Sequence, residues 1–173
     1  MFGGLKMMRT VLLSRTMDED SVIEFVTTLA ELNEESEDDI TLIINCSGGF
    51  EYALTGMLSA IRYSKAKIIG HVYGECYSFA LPILLACDDR VASPFARFMI
   101  HDVSCSFNKG SHPFSEWTSK IEQMTWARNL YIRMIIENTR ISKEFLMNIF
   151  DKREDYFFGV DEALKLGVIN EVK

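Results

Sequence analysis

The sequence has no run of lysine or arginine: 18 basic residues lie scattered among 25 acidic ones, and the formal charge is −7. A chain without a basic patch lacks the electrostatic footprint that phosphate backbones and anionic lipids require, so neither nucleic acid nor a membrane surface is an expected partner. Long hydrophobic runs are missing as well. The longest nearly uncharged stretch, 68–87, is interrupted by His71, Glu75 and Pro82, whereas a membrane span needs about 20 consecutive apolar residues. Segment 1–8 carries Lys6 and two glycines but no apolar core followed by a cleavage site, so it does not read as a secretory signal. These absences predict a cytoplasmic protein.

Cysteines at metal-binding spacing are also lacking. Cys46, Cys76, Cys87 and Cys105 are separated by 30, 11 and 18 residues, with no C-x-x-C pair and no histidine at ligand spacing. That removes the usual structural zinc patterns and leaves free thiols in a reducing compartment. Structural zinc is therefore not expected. The glycine turns lack the lysine of a P-loop and the G-x-G-x-x-G spacing, which disfavours nucleotide binding. Histidine is scarce, with only His71, His101 and His112, so any chemistry that needs an imidazole has few candidates.

What is present is an ordinary globular composition, 48% apolar and 25% charged over 173 residues. A chain of that size is expected to form one domain with a sizeable core. Residues 10–14 read as a short strand. The acidic 18–20 segment then opens an amphipathic helix carrying Val22, Phe25, Val26, Leu29 and Leu32. An apolar strand at 40–45 is followed by Ser47-Gly48-Gly49, read as the opening of a helix with Leu54, Met57, Leu58 and Ile61. The unit then repeats as a strand at 67–73, a turn at 74–77 and a short apolar helix at 78–87, with Pro82 near its first turn. Three strand–helix alternations predict an α/β fold with a parallel sheet and right-handed crossovers.

A strand at 97–101 and a polar loop at 103–112 come next. Residues 114–138 read as one helix of about 25 residues, roughly 37 Å long, with Phe114, Trp117, Ile121 and Met124 in 3-4-3 steps. That is longer than a compact domain of this size needs, so its apolar stripe, with Trp117 and Trp126, is either intramolecular core or, the favoured reading, a subunit contact. Helices at 143–150 and 160–165, a stop at Gly167 and a strand at 168–172 complete the chain.

Open α/β sheets place ligands where strands hand over to helices. Ser47-Gly48-Gly49 offers unobstructed backbone N–H groups there, suited to an oxyanion, although a plain tight turn has the same composition. Ser78 opens an apolar helix, which an ordinary N-cap would also do. A seryl nucleophile needs an imidazole to take its proton and a carboxylate to fix the tautomer. His101, at a predicted strand end, is the best-placed imidazole, although a satisfied structural histidine fits there equally; Asp102, Asp151, Glu154 and Asp155 are all candidate carboxylates. Cys76, two residues before Ser78, is a rival nucleophile or, more simply, a small buried filler.

Four segments in register resemble the ClpP family of serine peptidases. Asn45-Cys46-Ser47-Gly48-Gly49 is similar to its N-S-P-G-G turn, and Gly74-Glu75-Cys76-Tyr77-Ser78-Phe79-Ala80 to its G-x-A-A-S-M-G/A nucleophile turn. Pro94-Phe95-Ala96-Arg97-Phe98-Met99-Ile100-His101 resembles P-x-x-R-x-M-I-H, and residues 151–163, with Asp155-Tyr156-Phe157, resemble D-x-x-x-D-x-F. The resemblance spans about residues 9–172. It implies a crotonase-like spiral of repeated β-β-α and βα units, a single peptidase domain over 1–173, and a handle at about 103–138 that joins rings, as in two stacked heptamers. It further implies Ser78 as nucleophile, His101 as base, Asp155 as orienting acid, the N–H groups of Gly48 and Phe79 as oxyanion hole, and Gly49, Val103 and Ser104 as contacts for an extended peptide or unfolded-protein substrate. Only nine residues precede Thr10, where family members carry an axial loop and a first helix, so docking of an AAA+ unfoldase is left open. Tyr77 stands where the family has alanine. Two other functions are compatible with this frame: a catalytically silent ClpP-like scaffold subunit, and an acyl-CoA enzyme of the crotonase group.

Overall fold

The computed structural model describes residues 9–104 and 113–173. Cys105, His112 and most of the 103–110 substrate loop lie outside the described residues. The chain runs β1 (Thr10–Leu13), α1 (Glu19–Glu35), β2 (Ile40–Cys46), α2 (Glu51–Tyr63), β3 (Ile68–Tyr77), α3 (Ala80–Leu85), β4 (Asp89–Ala92), β5 (Arg97–Ile100), α4 (Phe114–Asn138), α5 (Lys143–Lys152), β6 (Tyr156–Gly159), α6 (Val160–Leu166) and β7 (Glu171–Val172).

One sheet organises these elements. β1, β2, β3, β4 and β7 lie side by side and pair in parallel. β3 is long enough to serve two partners on one edge: residues 69–72 pair with β4 and residues 75–77 with β5. β6 then adds to β5 in the antiparallel sense. Ile40, Leu42, Ile44, Ile68, Val72, Phe98 and Ile100 are essentially inaccessible to solvent, as expected for strands covered by helices. α1 begins at a reciprocal cap, in which Ser21 N–H donates to the Asp18 carboxylate and Asp18 N–H to Ser21 Oγ.

Helix α4 has the bounds its periodicity predicts, and it divides into two parts. Its C-terminal half buries Ala127, Tyr131, Ile132 and Ile135, whereas Phe114, Trp117, Ile121 and Trp126 on the N-terminal half stay exposed. Among the described residues no helix is long and apolar enough to cross a membrane.

Several boundaries differ from the sequence expectations. Gly74 is not a turn: β3 continues through it to Tyr77, because a residue without a Cβ lets the Asn45 side chain occupy that space and accept the Glu75 N–H at 2.9 Å. Ser47-Gly48-Gly49 does not open α2, which starts at Glu51; the glycines form a separate turn stitched to Met17. β4 and β6, four residues each, were not foreseen, since strands this short carry no readable alternation. The last strand shrinks to Glu171–Val172.

Candidate active site

Register alone brings the candidate residues together. Cys46 on β2 pairs with Cys76 on β3, which sets the Gly48 turn beside Ser78. Tyr77 pairs with Met99 on β5, so the chain leaving β5 carries His101 past Ser78. Ile100 pairs with Tyr156 on antiparallel β6, which puts Asp155 next to His101. All of this happens at the carboxyl ends of β2, β3 and β5, where α/β sheets form their clefts.

Ser78 occupies a sharp elbow. Its φ is +51°, one of two positive values outside glycine among the described residues. Such a conformation costs a β-substituted residue about 1–2 kcal/mol. The elbow is clamped by Ser78 N–H donating to Met99 O at 3.0 Å and Leu81 N–H to Ser78 O at 3.0 Å. The side chain is thereby lifted to His101, whose Nε2 lies 2.7 Å from Ser78 Oγ. On the far side of the ring, Nδ1 is 3.6 Å from Asp155 Oδ1. That is contact distance for an ion pair but longer than a hydrogen bond.

Gly48 sits against this elbow with φ +96°; a Cβ there would come within 3.0 Å of the Ser78 Cβ, Phe79 N and Tyr77 O. Phe79 N–H has no acceptor among the described residues, and Gly48 N–H donates to Cys46 Sγ at 3.3 Å, a weak acceptor. Gly49 carries no Cβ because Met17 O passes 2.2 Å from where one would be. A cavity of about 390 Å³ opens beside the elbow, lined among others by Gly49, Phe79, Val103, Ser104, Glu51 and Lys120. Cys76 is wholly buried, and burial pushes its thiol well above the usual range, which leaves it without nucleophilic character at neutral pH. Among the described residues no cluster of His, Cys, Asp and Glu could hold a metal ion.

The Clp protease family model matches residues 1–173. The chain belongs to the Clp protease family. It is 32% identical over 142 residues to an ATP-dependent Clp protease proteolytic subunit of Deinococcus radiodurans, covering 81% of this chain and 67% of that one. A Clp protease proteolytic subunit of Cyanophora paradoxa is 27% identical over 167 residues, 95% of this chain and 84% of its own. A solved ClpP1 point mutant from Listeria monocytogenes superposes with a TM-score of 0.81 at 27% identity, over 96% of this chain and 91% of that one. The ClpP-like α/β spiral with its protruding helix is thus the fold of this protein.

Within that family frame, Tyr77 does not crowd Ser78: its ring packs edge-on against Phe157 at 5.6 Å, toward β6. Of the four candidate carboxylates, Asp155 faces the imidazole. Asp102 turns instead to Arg128 on α4, with Oδ1 2.6 Å from Nε. Arg128 was not singled out from sequence, although a signal existed. It is the charged residue on the otherwise apolar stripe Met124, Ala127, Tyr131 and Ile135 of α4.

Proposed function

We propose that this chain is a serine endopeptidase subunit that hydrolyses peptides or unfolded polypeptides with a Ser78–His101–Asp155 triad. The observation that carries the proposal is the 2.7 Å contact between Ser78 Oγ and His101 Nε2 at a strained elbow. In the reaction His101 Nε2 takes the Ser78 proton as Oγ bonds to the peptide carbonyl carbon. The oxygen of the tetrahedral adduct is stabilised by the Phe79 N–H and by the Gly48 N–H, which exchanges its weak thiol acceptor for an oxyanion. The imidazolium then protonates the departing amine nitrogen, leaving an ester on Ser78. Water hydrolyses that ester with His101 again acting as base, while Asp155 holds the Nδ1–H tautomer. Val103 and Ser104, beside Gly49, receive the extended substrate as an added strand. The chemistry requires no cofactor.

The assembly belongs to the same reading. The exposed stripe Phe114, Trp117, Ile121 and Trp126 suits burial between copies, and the family resemblance gives the form, two stacked rings, heptameric in the family, around a chamber in the cytoplasm. Residues 1–173 act as one peptidase domain with the handle at about 103–138, and an AAA+ unfoldase is the class of partner that would feed the chamber. In this mechanism the 3.6 Å separation of His101 Nδ1 and Asp155 Oδ1 closes to a hydrogen bond as substrate binds.

The test is labelling with a fluorophosphonate, with the modified residue read by mass spectrometry in the assembled protein. Modification at Ser78 that disappears in His101→Ala is the expected result. An assembled ring whose Ser78 never reacts would sink the peptidase and leave a ring scaffold.

A further inference from the structure

The segment that presents His101 is gripped from its other side by α4. Asp102 Oδ1 accepts from Arg128 Nε at 2.6 Å and from the Val103 N–H at 2.8 Å. The Arg128 guanidinium lies over the Phe150 ring at 5.0 Å, and Phe150 stacks on Tyr131 of the same helix. Side-chain exposure is 32% for Arg128 and 35% for Asp102, so both charges are partly covered. A charge-assisted bond from a planar guanidinium that is also seated on an aromatic face leaves the carboxylate little freedom. Asp102 stands directly between His101 and Val103, so whatever holds it sets both the imidazole and the edge that borders the cavity.

We propose that Asp102 and Arg128 are positioning residues: the pair ties the His101–Val103 segment to α4 and cancels the Asp102 charge beside the imidazole, leaving Asp155 as the one carboxylate that acts on His101. This rests on the Ser78–His101 reading above. The groups around the imidazole fit the assignment. Asp155 faces Nδ1 from the β6 side, with Arg153 and Glu154 exposed in the same loop. Ser78 faces Nε2, and Cys76 and Tyr77 of β3 are neutral at neutral pH, both pushed up by burial. From α4 come Arg128, paired to Asp102, and the buried Tyr131 hydroxyl, which faces the His101 backbone without a well-formed hydrogen bond.

Two opposite consequences follow. In Asp102→Asn the Arg128 cation is left uncancelled and disfavours the imidazolium. In Arg128→Ala the Asp102 anion is left uncancelled and favours it. The measurement is the pH dependence of His101 modification by diethylpyrocarbonate, which reacts with neutral imidazole, read by peptide mass spectrometry in the assembled Ser78→Ala protein. The midpoint is expected to fall in Asp102→Asn and rise in Arg128→Ala, each by roughly half a pH unit, and to return to the parent value when both are combined. Arg128→Lys keeps the charge but not the fork or the stack; its midpoint should stay put while fluorophosphonate labelling of Ser78 slows several-fold. If Arg128→Ala fails to assemble, Arg128→Lys and Asp102→Asn decide the matter. Midpoints that do not move, or that move the same way in both single variants, overturn the proposal, because a merely structural pair slows labelling without shifting titration. An unreactive Ser78 in the wild type would remove the peptidase reading on its own, with the His101 midpoints still judging the clamp.

Discussion

Replacing Gly48 with alanine should separate the elbow from the turn beside it. The new Cβ would meet the Ser78 Cβ at 2.9 Å, Phe79 N at 3.0 Å and Tyr77 O at 3.0 Å, whereas ordinary contact begins near 3.4 Å. None of the three is the loose end of a flexible side chain, so the elbow has to retreat by several tenths of an ångström. The φ of +96° adds strain for any residue with a Cβ, about 1–3 kcal/mol. Because the Ser78–His101 contact is only 2.7 Å, the same retreat falls on these two side chains. A displacement of 1 Å costs on the order of a hundredfold in rate, so a loss of roughly ten- to thirtyfold in fluorophosphonate labelling of Ser78 is expected. Gly159→Ala is the control, since a Cβ there meets nothing within 4 Å. Labelling rates and urea-unfolding midpoints measured on both variants test the account. Gly48→Ala labelling at the parental rate would refute the coupling between turn and elbow, and an equal loss in Gly159→Ala would refute its origin in local contact.

Cys76→Ala should leave Ser78 labelling within about threefold, because the thiol is buried and neutral, while the missing sulfur lowers stability by about 1 kcal/mol; abolished labelling after correcting for the folded fraction would return Cys76 to the chemistry. His71 gives a pH dependence. Burial, and then the Lys173 charge, hold its imidazole below the ordinary value, and its Nε2 has no hydrogen-bond partner among the described residues. The unfolded chain therefore binds the proton first, so stability is full above pH about 6.5 and falls as pH drops below it toward the folded-state midpoint. Denaturant midpoints should show this acid-side loss reduced in His71→Gln, and an unchanged slope would count against it.

Local pattern determined a good deal by itself. The 25-residue α4, the acidic start of α1 and the Gly167 stop, with φ +73°, depend on neighbours within a few turns, and the sequence shows them directly. The serine elbow and the glycine turn were legible as places where chemistry could occur, and the family resemblance named the residues. Which carboxylate meets His101 was not legible from spacing, since Asp102, Asp151, Glu154 and Asp155 are alike in sequence. Only the tertiary structure separates them: β6 pairs antiparallel with β5 and brings Asp155 to 3.6 Å from the imidazole, while Asp102 meets Arg128. β3 likewise runs through Gly74 only because Asn45, from the neighbouring strand, fills the space a Cβ would take. In each case the deciding contact joins residues about 25 to 55 positions apart, and no local periodicity records a partner at that distance.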